Sequence, residues 1–188
     1  MNSFPHADGA ESTATPTPGG LSTPTTEVED AEFIRIWLEV SGALLDDRTH
    51  DPTPGDILII VDKTYSRVLA CHPGGHLILD NFAEYDMNQA IPERWKWLCT
   101  ERDNFIGFRN LAGDCFLGHD IWWNFVARAT VQEGWEHFML IKRRKGYGIQ
   151  SPFYHKFRPL TALSDGSGIK ADEPQGTLWG FIKVGEEQ

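Results

Sequence analysis

From Asp56 onward the sequence repeats itself three times, and this repetition limits the possible folds more than any other feature. The first copy is "ILIIVDKTYSRVLACHPGGHLILD", closing with "RWKWLCTER". The second is "FIGFRNLAGDCFLGHDIWWNFVARA", closing with "GWEHFMLIKR", and the third is "YGIQSPFYHKFRPLTALSDGSGIKAD", closing with "TLWGFIKV". Leu69, Leu117 and Leu160 precede Leu77, Phe125 and Ile169 by eight, eight and nine residues. Two residues later stand Leu79, Ala127 and Ala171, on the same face of a period-two strand. Each copy ends near a tryptophan, Trp95, Trp135 or Trp179, followed by Trp97, Phe138 or Phe181. These closing aromatics are expected in the core. Each copy reads as four short strands broken by Gly, Pro, Asn and Asp.

A lone four-stranded unit leaves apolar faces uncovered. Three such units packed about a pseudo-threefold axis close a barrel and remove most exposed edges. The expected fold is therefore all-β, a β-trefoil over residues 56–188, with an extra loop, "NFAEYDMNQAIPER", inside the first unit. A three-bladed propeller of similar period is too small to form a stable ring.

The rest of the chain has a different texture. Residues 1–26 are Ser, Thr, Pro and Gly with little to bury, and read as a disordered tail. In 27–55 an amphipathic helix and a linker are expected. Thr26 and Glu29 can form a capping box ahead of Phe33, Ile36, Val40 and Leu44 at helical spacing. Ile34, Ile36, Leu38 and Val40 also alternate as a strand would; acids at the start and Gly42 near the end favour the helix. The net charge of −10 is uneven: residues 1–55 hold ten acids and two bases, and the remainder seventeen and fifteen. That distribution argues against nucleic acid as a partner. Nothing in the chain reads as a signal peptide or a membrane span. Three cysteines, Cys71, Cys99 and Cys115, make an odd and sparse set that fits free thiols in the cytoplasm.

The segment "GFRNLAGDCFLGHD", continuing to "NFVARA" and "GWEHFML", resembles the repeat of fascin-type, actin-crosslinking-like β-trefoils. "LWGFIKV" is similar to the closing strand of small fungal trefoil proteins. The likeness covers about 130 residues. It implies a binding fold whose loops contact actin or other proteins, glycans or proteases. The Gln-x-Trp signature of ricin-type lectins is missing from all three closing strands.

Between the strands carrying Leu117 and Phe125 lies "GHDIWWN". Gly118 suits a positive φ. Neighbouring side chains in an extended segment diverge, so one of Trp122 and Trp123 is expected to pack and the other to stand exposed. His119, Asp120, Trp122, Trp123 and Asn124 form the candidate ligand site, because an exposed indole beside a carboxylate and an amide suits a sugar ring and its hydroxyls. The competing reading is a packed loop. Lys142, Arg143, Arg144 and Lys145 form a candidate basic contact patch for an acidic partner or the chain's own acidic N-terminal region; its competing reading is a solvated hairpin. Cys71, His72 and His76, or Cys115, His119 and Asp120, have zinc-binding donor types. Their equivalent places in different repeats argue against convergence on one ion, so no metal or cofactor is expected. No nucleophile–base–acid pattern stands out. Recognition of a protein or glycan is the expected function, with a small enzyme or metabolic accessory using an unseen pocket as the alternative.

Overall fold

The computed structural model describes residues 49–85, 89–171 and 176–184; the tail and the helix expected within 27–55 lie outside them. The domain is all-β. Its strands are β1 (Ile57–Asp62), β2 (Arg67–His72), β3 (His76–Asn81), β4 (Lys96–Arg102), β5 (Phe105–Asn110), β6 (Cys115–His119) and β7 (Phe125–Ala129). They are followed by β8 (Met139–Arg143), β9 (Gly146–Phe153), β10 (Lys156–Pro159), β11 (Thr161–Ala162), β12 (Ile169–Lys170) and β13 (Trp179–Val184).

All the pairings are antiparallel, and six strands form a closed circuit. β1 pairs with β4, β4 with β5, β8 with β9, β9 with β13, and β13 returns to β1 along six residue pairs. The link from β5 to β8 is one bridged pair, Ile106 with Phe138, with both backbone hydrogen bonds at 3.0 and 2.8 Å. The β2–β3, β6–β7 and β11–β12 hairpins stand off this circuit. Closure leaves the first and last strands without a free edge between them, which suppresses edge-to-edge association.

The side chains explain the circuit. Leu69, Leu117 and Leu160 are each fully buried in one cluster with Leu77, Phe125, Ile169, Leu79, Ala127 and Ala171. Across the barrel pairs, Leu58 faces Trp97, Ile106 faces Phe138 and Tyr147 faces Trp179. The Trp97 indole N–H donates to the Leu69 carbonyl at 3.0 Å, and Trp179 donates to Leu160 at 3.2 Å. The repeat therefore closes on Trp97, Phe138 and Trp179, forty-one residues apart each time. The Trp95–Trp135–Trp179 alignment expected from sequence is corrected on this point. Trp135 is 50% exposed and not a core residue, whereas Trp95 and Trp179 are buried.

β1 is buried on both faces, as its unbroken "ILIIV" run dictates. Leu58 and Ile60 face the barrel; Ile59 and Val61 join Val68, Ala70, Phe82, Trp95 and Ile182 in a second cluster. The extra loop of the first unit thus has a structural use: Phe82, Tyr85 and Ile91 cover this outer face. Asp80 holds the loop's return. Its carboxylate accepts from the Trp95 indole at 2.7 Å, from Arg94 Nε at 2.9 Å, and meets His72 Nε2 at 3.0 Å. Burial alone would raise its pKa, but the bonds from Trp95, Arg94 and His72 outweigh that and hold it below the usual carboxylate range.

Cys71, Cys99 and Cys115 are free thiols. Among the described residues no helix is long and apolar enough to cross a membrane. Replacing Trp97 with Phe removes the donor to Leu69 and leaves a cavity, because phenyl is smaller than indole. The expected cost is about 2–4 kcal/mol, read as a lower urea midpoint at unchanged slope.

Candidate functional site

The loop from β6 to β7 is built by one carboxylate. Asp120 Oδ1 accepts from the backbone N–H groups of Trp122 and Asn124 at 2.8 and 2.9 Å, and Oδ2 accepts from the Asn124 amide at 2.9 Å. Backbone bonds between Asp120 and both Trp123 and Asn124 complete the turn. The geometry holds Trp123 at φ +66°, a conformation that bulky L-residues avoid. In the first repeat the position corresponding to Trp123, six residues after Leu69 as Trp123 is after Leu117, is Gly75 at φ +76°. Glycine takes this backbone without strain; the second repeat keeps the positive φ at this position with an indole on it, although one residue earlier the turns differ, Gly74 lying at φ +80° and Trp122 having no positive φ.

The two tryptophans diverge. Trp122 is 77% exposed, while Trp123 is partly buried against the barrel core. The Trp123 ring stacks on His119 with centroids 3.9 Å apart, and His119 lies 5.7 Å from Trp135. Trp123 also meets Phe153 edge-on at 4.7 Å, and Phe153 meets Tyr154 at 4.8 Å. The Arg158 guanidinium lies 4.6 Å from the Trp123 centroid and 4.1 Å from that of Phe153, within cation–π range of both. Rings from three separate stretches of chain, 119–123, 135 and 153–154, thus form one run: Trp135, His119, Trp123, Phe153, Tyr154. Its two ends are open, with Trp135 50% and Tyr154 91% exposed.

His119 is the buried centre of the run. Its Nδ1 bonds the Asp120 carbonyl at 2.9 Å, which makes Nδ1 the protonated nitrogen. Nε2 is buried and has no partner among the described residues. Burial, with a smaller push from the Arg158 charge, lowers its pKa below the usual 6.5. Beneath it, Gly118 lets the Trp135–Glu136 turn close in, since a Cβ there would sit 2.7 Å from Glu136 Oε1. Gly118 is therefore required by space and not by a positive φ, correcting the reading from sequence. Glu136 is itself buried, accepts from Glu133 N–H at 3.1 Å, and has its pKa raised by burial.

Of the five residues predicted from sequence, Trp122 faces solvent, and Asp120 and Asn124 build the turn. His119 and Trp123 are its packed support. Sequence reasoning missed Trp135, Phe153, Tyr154 and Arg158. "SPFYHKF" carried a signal: two aromatics at the tip of a hairpin flanked by His and Lys have little else to pack against.

The basic patch is elsewhere. Lys142, Arg143, Arg144 and Lys145 lie on the β8–β9 hairpin, at the opposite end of the eight-residue β9 from Phe153. Lys142 grips both oxygens of Asp51 at 2.8 and 2.6 Å, and the Tyr147 hydroxyl donates to the same carboxylate. The cysteine–histidine pairs divide differently from expectation. Cys71, His72 and Cys115, which are not equivalent positions, line one cleft, while His119, the counterpart of Cys71, lies apart from it in the aromatic run. Among the described residues no group of three His, Cys, Asp or Glu could hold a metal ion.

No protein-family model matches the chain, and no curated protein matches its sequence. Solved structures do match. One is a GlcNAcα1-4Gal-releasing endo-β-galactosidase from Clostridium perfringens, with a TM-score of 0.56, 10% identity and 69% of this chain covered. Another is Cry35Ab1, with a TM-score of 0.54, 15% identity and 73% of this chain covered. The chain spans 33% and 38% of their lengths. At such identity the likeness is one of fold, and fold does not select an activity.

Trp122 and Trp123 should separate in stability. Trp123→Ala is expected to cost about 2–4 kcal/mol and Trp122→Ala about 0.5 kcal/mol or less, compared by denaturant midpoint. The His119 stack also predicts a pH dependence. Its folded pKa lies below the unfolded value of about 6.5, so the neutral ring belongs to the folded state. Its stabilising contribution is intact above that value and is lost as pH falls through the folded one. Glu136, with a raised pKa, has the opposite sign: its contribution is intact at low pH and lost as pH rises. Unfolding free energy of the parent, measured against a His119→Phe variant, should therefore fall as pH drops from about 7 to about 5. Parallel curves would remove the buried-charge argument.

Proposed function

We propose that this domain is a β-trefoil recognition module that binds a glycan at the aromatic run between its second and third repeats. The six-strand circuit with three hairpins set off it supports the trefoil reading. The observation that carries the functional reading is the pair of open indole and phenol rings, Trp135 and Tyr154, at the ends of a continuous aromatic run beside the exposed Trp122. Aromatic faces of this kind take the C–H side of a sugar ring, and rigid support keeps the ordering cost of binding low. Trp123 supports the site at the expense of backbone strain, a cost that clusters at functional places. The name of one structural neighbour places that protein in a carbohydrate context. Actin binding has only the fascin-type repeat in "GFRNLAGDCFLGHD" behind it. The same reading puts the protein in the cytoplasm, where three free thiols persist.

A glycan array followed by calorimetry on the best ligand tests the proposal. Trp135→Ala and Tyr154→Ala should each weaken binding about tenfold or more, with the fold intact by circular dichroism. If the parent binds no glycan at millimolar concentration, or both variants bind as well as the parent, the proposal fails. Capture of actin that survives both substitutions would move the function to another surface.

A further inference from the structure

A cleft of about 790 Å³ opens at the boundary between the first and second repeats. It is lined by the β2–β3 turn, the β5–β6 turn, Cys71, Cys115 and Ala127, and rimmed by His72, Arg94 and Arg128. The same boundary one repeat further along carries the aromatic run. Counting from Leu69 and Leu117, Cys71 corresponds to His119, Gly74 to Trp122 and Gly75 to Trp123. Counting from Leu117 and Leu160, Cys115 corresponds to Arg158. The β5–β6 pair Asn110–Cys115 matches the β9–β10 pair Ser151–Arg158, which sets Ala112 against Phe153 and Gly113 against Tyr154. Cys71, Gly75, Ala112 and Cys115 stand where His119, Trp123, Phe153 and Arg158 pack together at the later boundary, while Trp122 and Tyr154, the counterparts of Gly74 and Gly113, face solvent. The cleft is the space left by those differences.

Its chemistry is cationic in a chain of net charge −10. Arg94 uses Nε on Asp80, and Arg128 uses Nε on the Gly74 carbonyl at 2.9 Å. The terminal nitrogens of both guanidinium groups have no partner among the described residues. No carboxylate among those residues lines the cleft. Two guanidinium forks held through Nε, each with its outer nitrogens available, suit a planar or tetrahedral oxyanion. The volume is that of a small-ligand pocket.

We propose that this cleft is a binding site for a small oxyanion-bearing ligand of about sugar size, its carboxylate, sulfate or phosphate held by Arg128 and Arg94. The site is separate from the aromatic run and stands whether or not that run binds glycans.

Cys115 supplies a reporter inside the cleft. It is partly exposed, whereas Cys71 and Cys99 are buried, with thiols pushed up by burial, that of Cys99 to about 12. Thiolates are the reactive form, so limited iodoacetamide treatment should modify Cys115 first. The alkylation rate at Cys115 would be followed by mass spectrometry in the full chain, at ionic strength fixed with sodium chloride. The additions are inorganic sulfate, a uronic-acid disaccharide and its neutral counterpart. An acidic ligand should slow Cys115 alkylation at least about threefold at saturation, and the neutral sugar should not. Arg128→Gln should raise the concentration needed about tenfold, and Arg128→Lys should raise it less. Protection by the acidic disaccharide alone identifies a charged sugar as the ligand; equal protection by sulfate identifies a free oxyanion. No protection by either anion, equal protection by the neutral sugar, or an unchanged Arg128→Gln variant overturns the proposal.

Discussion

The pairing of β1 with β13 along six residue pairs ties the start of the described domain to its end, and the other features depend on it. Once that seam is closed, the side chains of β1 that face the barrel have nowhere to go but the core, and those on the other face need a separate cover. The first condition is met by the leucines and closing aromatics of all three repeats. The second is met by the extra loop, with Asp80 as its anchor. The β5–β8 and β9–β13 links are single residue pairs. The circuit therefore relies on packing of Phe108, Phe138, Tyr147 and Phe181 across the barrel, where neighbouring ring centroids are 5.4 to 6.0 Å apart.

A repeated backbone lets one position be used in different ways. Gly75 and Trp123 share a positive φ, so that one backbone position carries no side chain in one repeat and an indole in the next, while the residues before them, Gly74 at φ +80° and Trp122, differ. Where the repeat has glycine, strand β7 can approach until a Cβ at Gly75 would lie 2.3 Å from the Ala127 carbonyl oxygen. Where it has tryptophan, the indole fills the boundary and is braced by His119 on β6 and Arg158 on β10. The strain at Trp123 is tolerated because Asp120 supplies three acceptor contacts to the turn. Local preference and the fold disagree at this residue, as they tend to do where a site has been built.

The repeat was legible because it rests on burial alone: an apolar residue at the same place in each copy means the same face of a strand. Leu69, Leu117 and Leu160 needed no further information. The register of the closing strands was less legible, since Trp95, Trp135 and Trp179 look alike as letters. Only the partner across the barrel distinguishes Trp97 and Phe138 as the true counterparts of Trp179. The divergence of Trp122 and Trp123 could be read from backbone geometry. The rest of the aromatic run could not, because Phe153, Tyr154 and Arg158 belong to another repeat and meet Trp123 only through the fold. Asp120 was read as a ligand group for the same reason. Two of its three bonds go to backbone N–H groups, which every residue but proline has, and the third goes to the Asn124 side-chain amide.

The arginines show how the two boundaries came to differ in chemistry as well as in shape. At the later boundary Arg158 lies over Trp123 and Phe153, so its charge is used to hold rings together in a partly buried place. Its counterpart at the earlier boundary is Cys115, which cannot do this, and the rings it would hold are replaced by Gly75 and Ala112. The cations there come instead from Arg94 and Arg128, which reach in from the sides and are fixed by one nitrogen each. A guanidinium stacked on aromatic faces strengthens an apolar surface; Arg94 and Arg128 line the cleft with Nε already bonded. The same fold thus carries an apolar face and a cationic cleft at equivalent places, and residue size at Cys115, Gly75 and Ala112 decides which one forms.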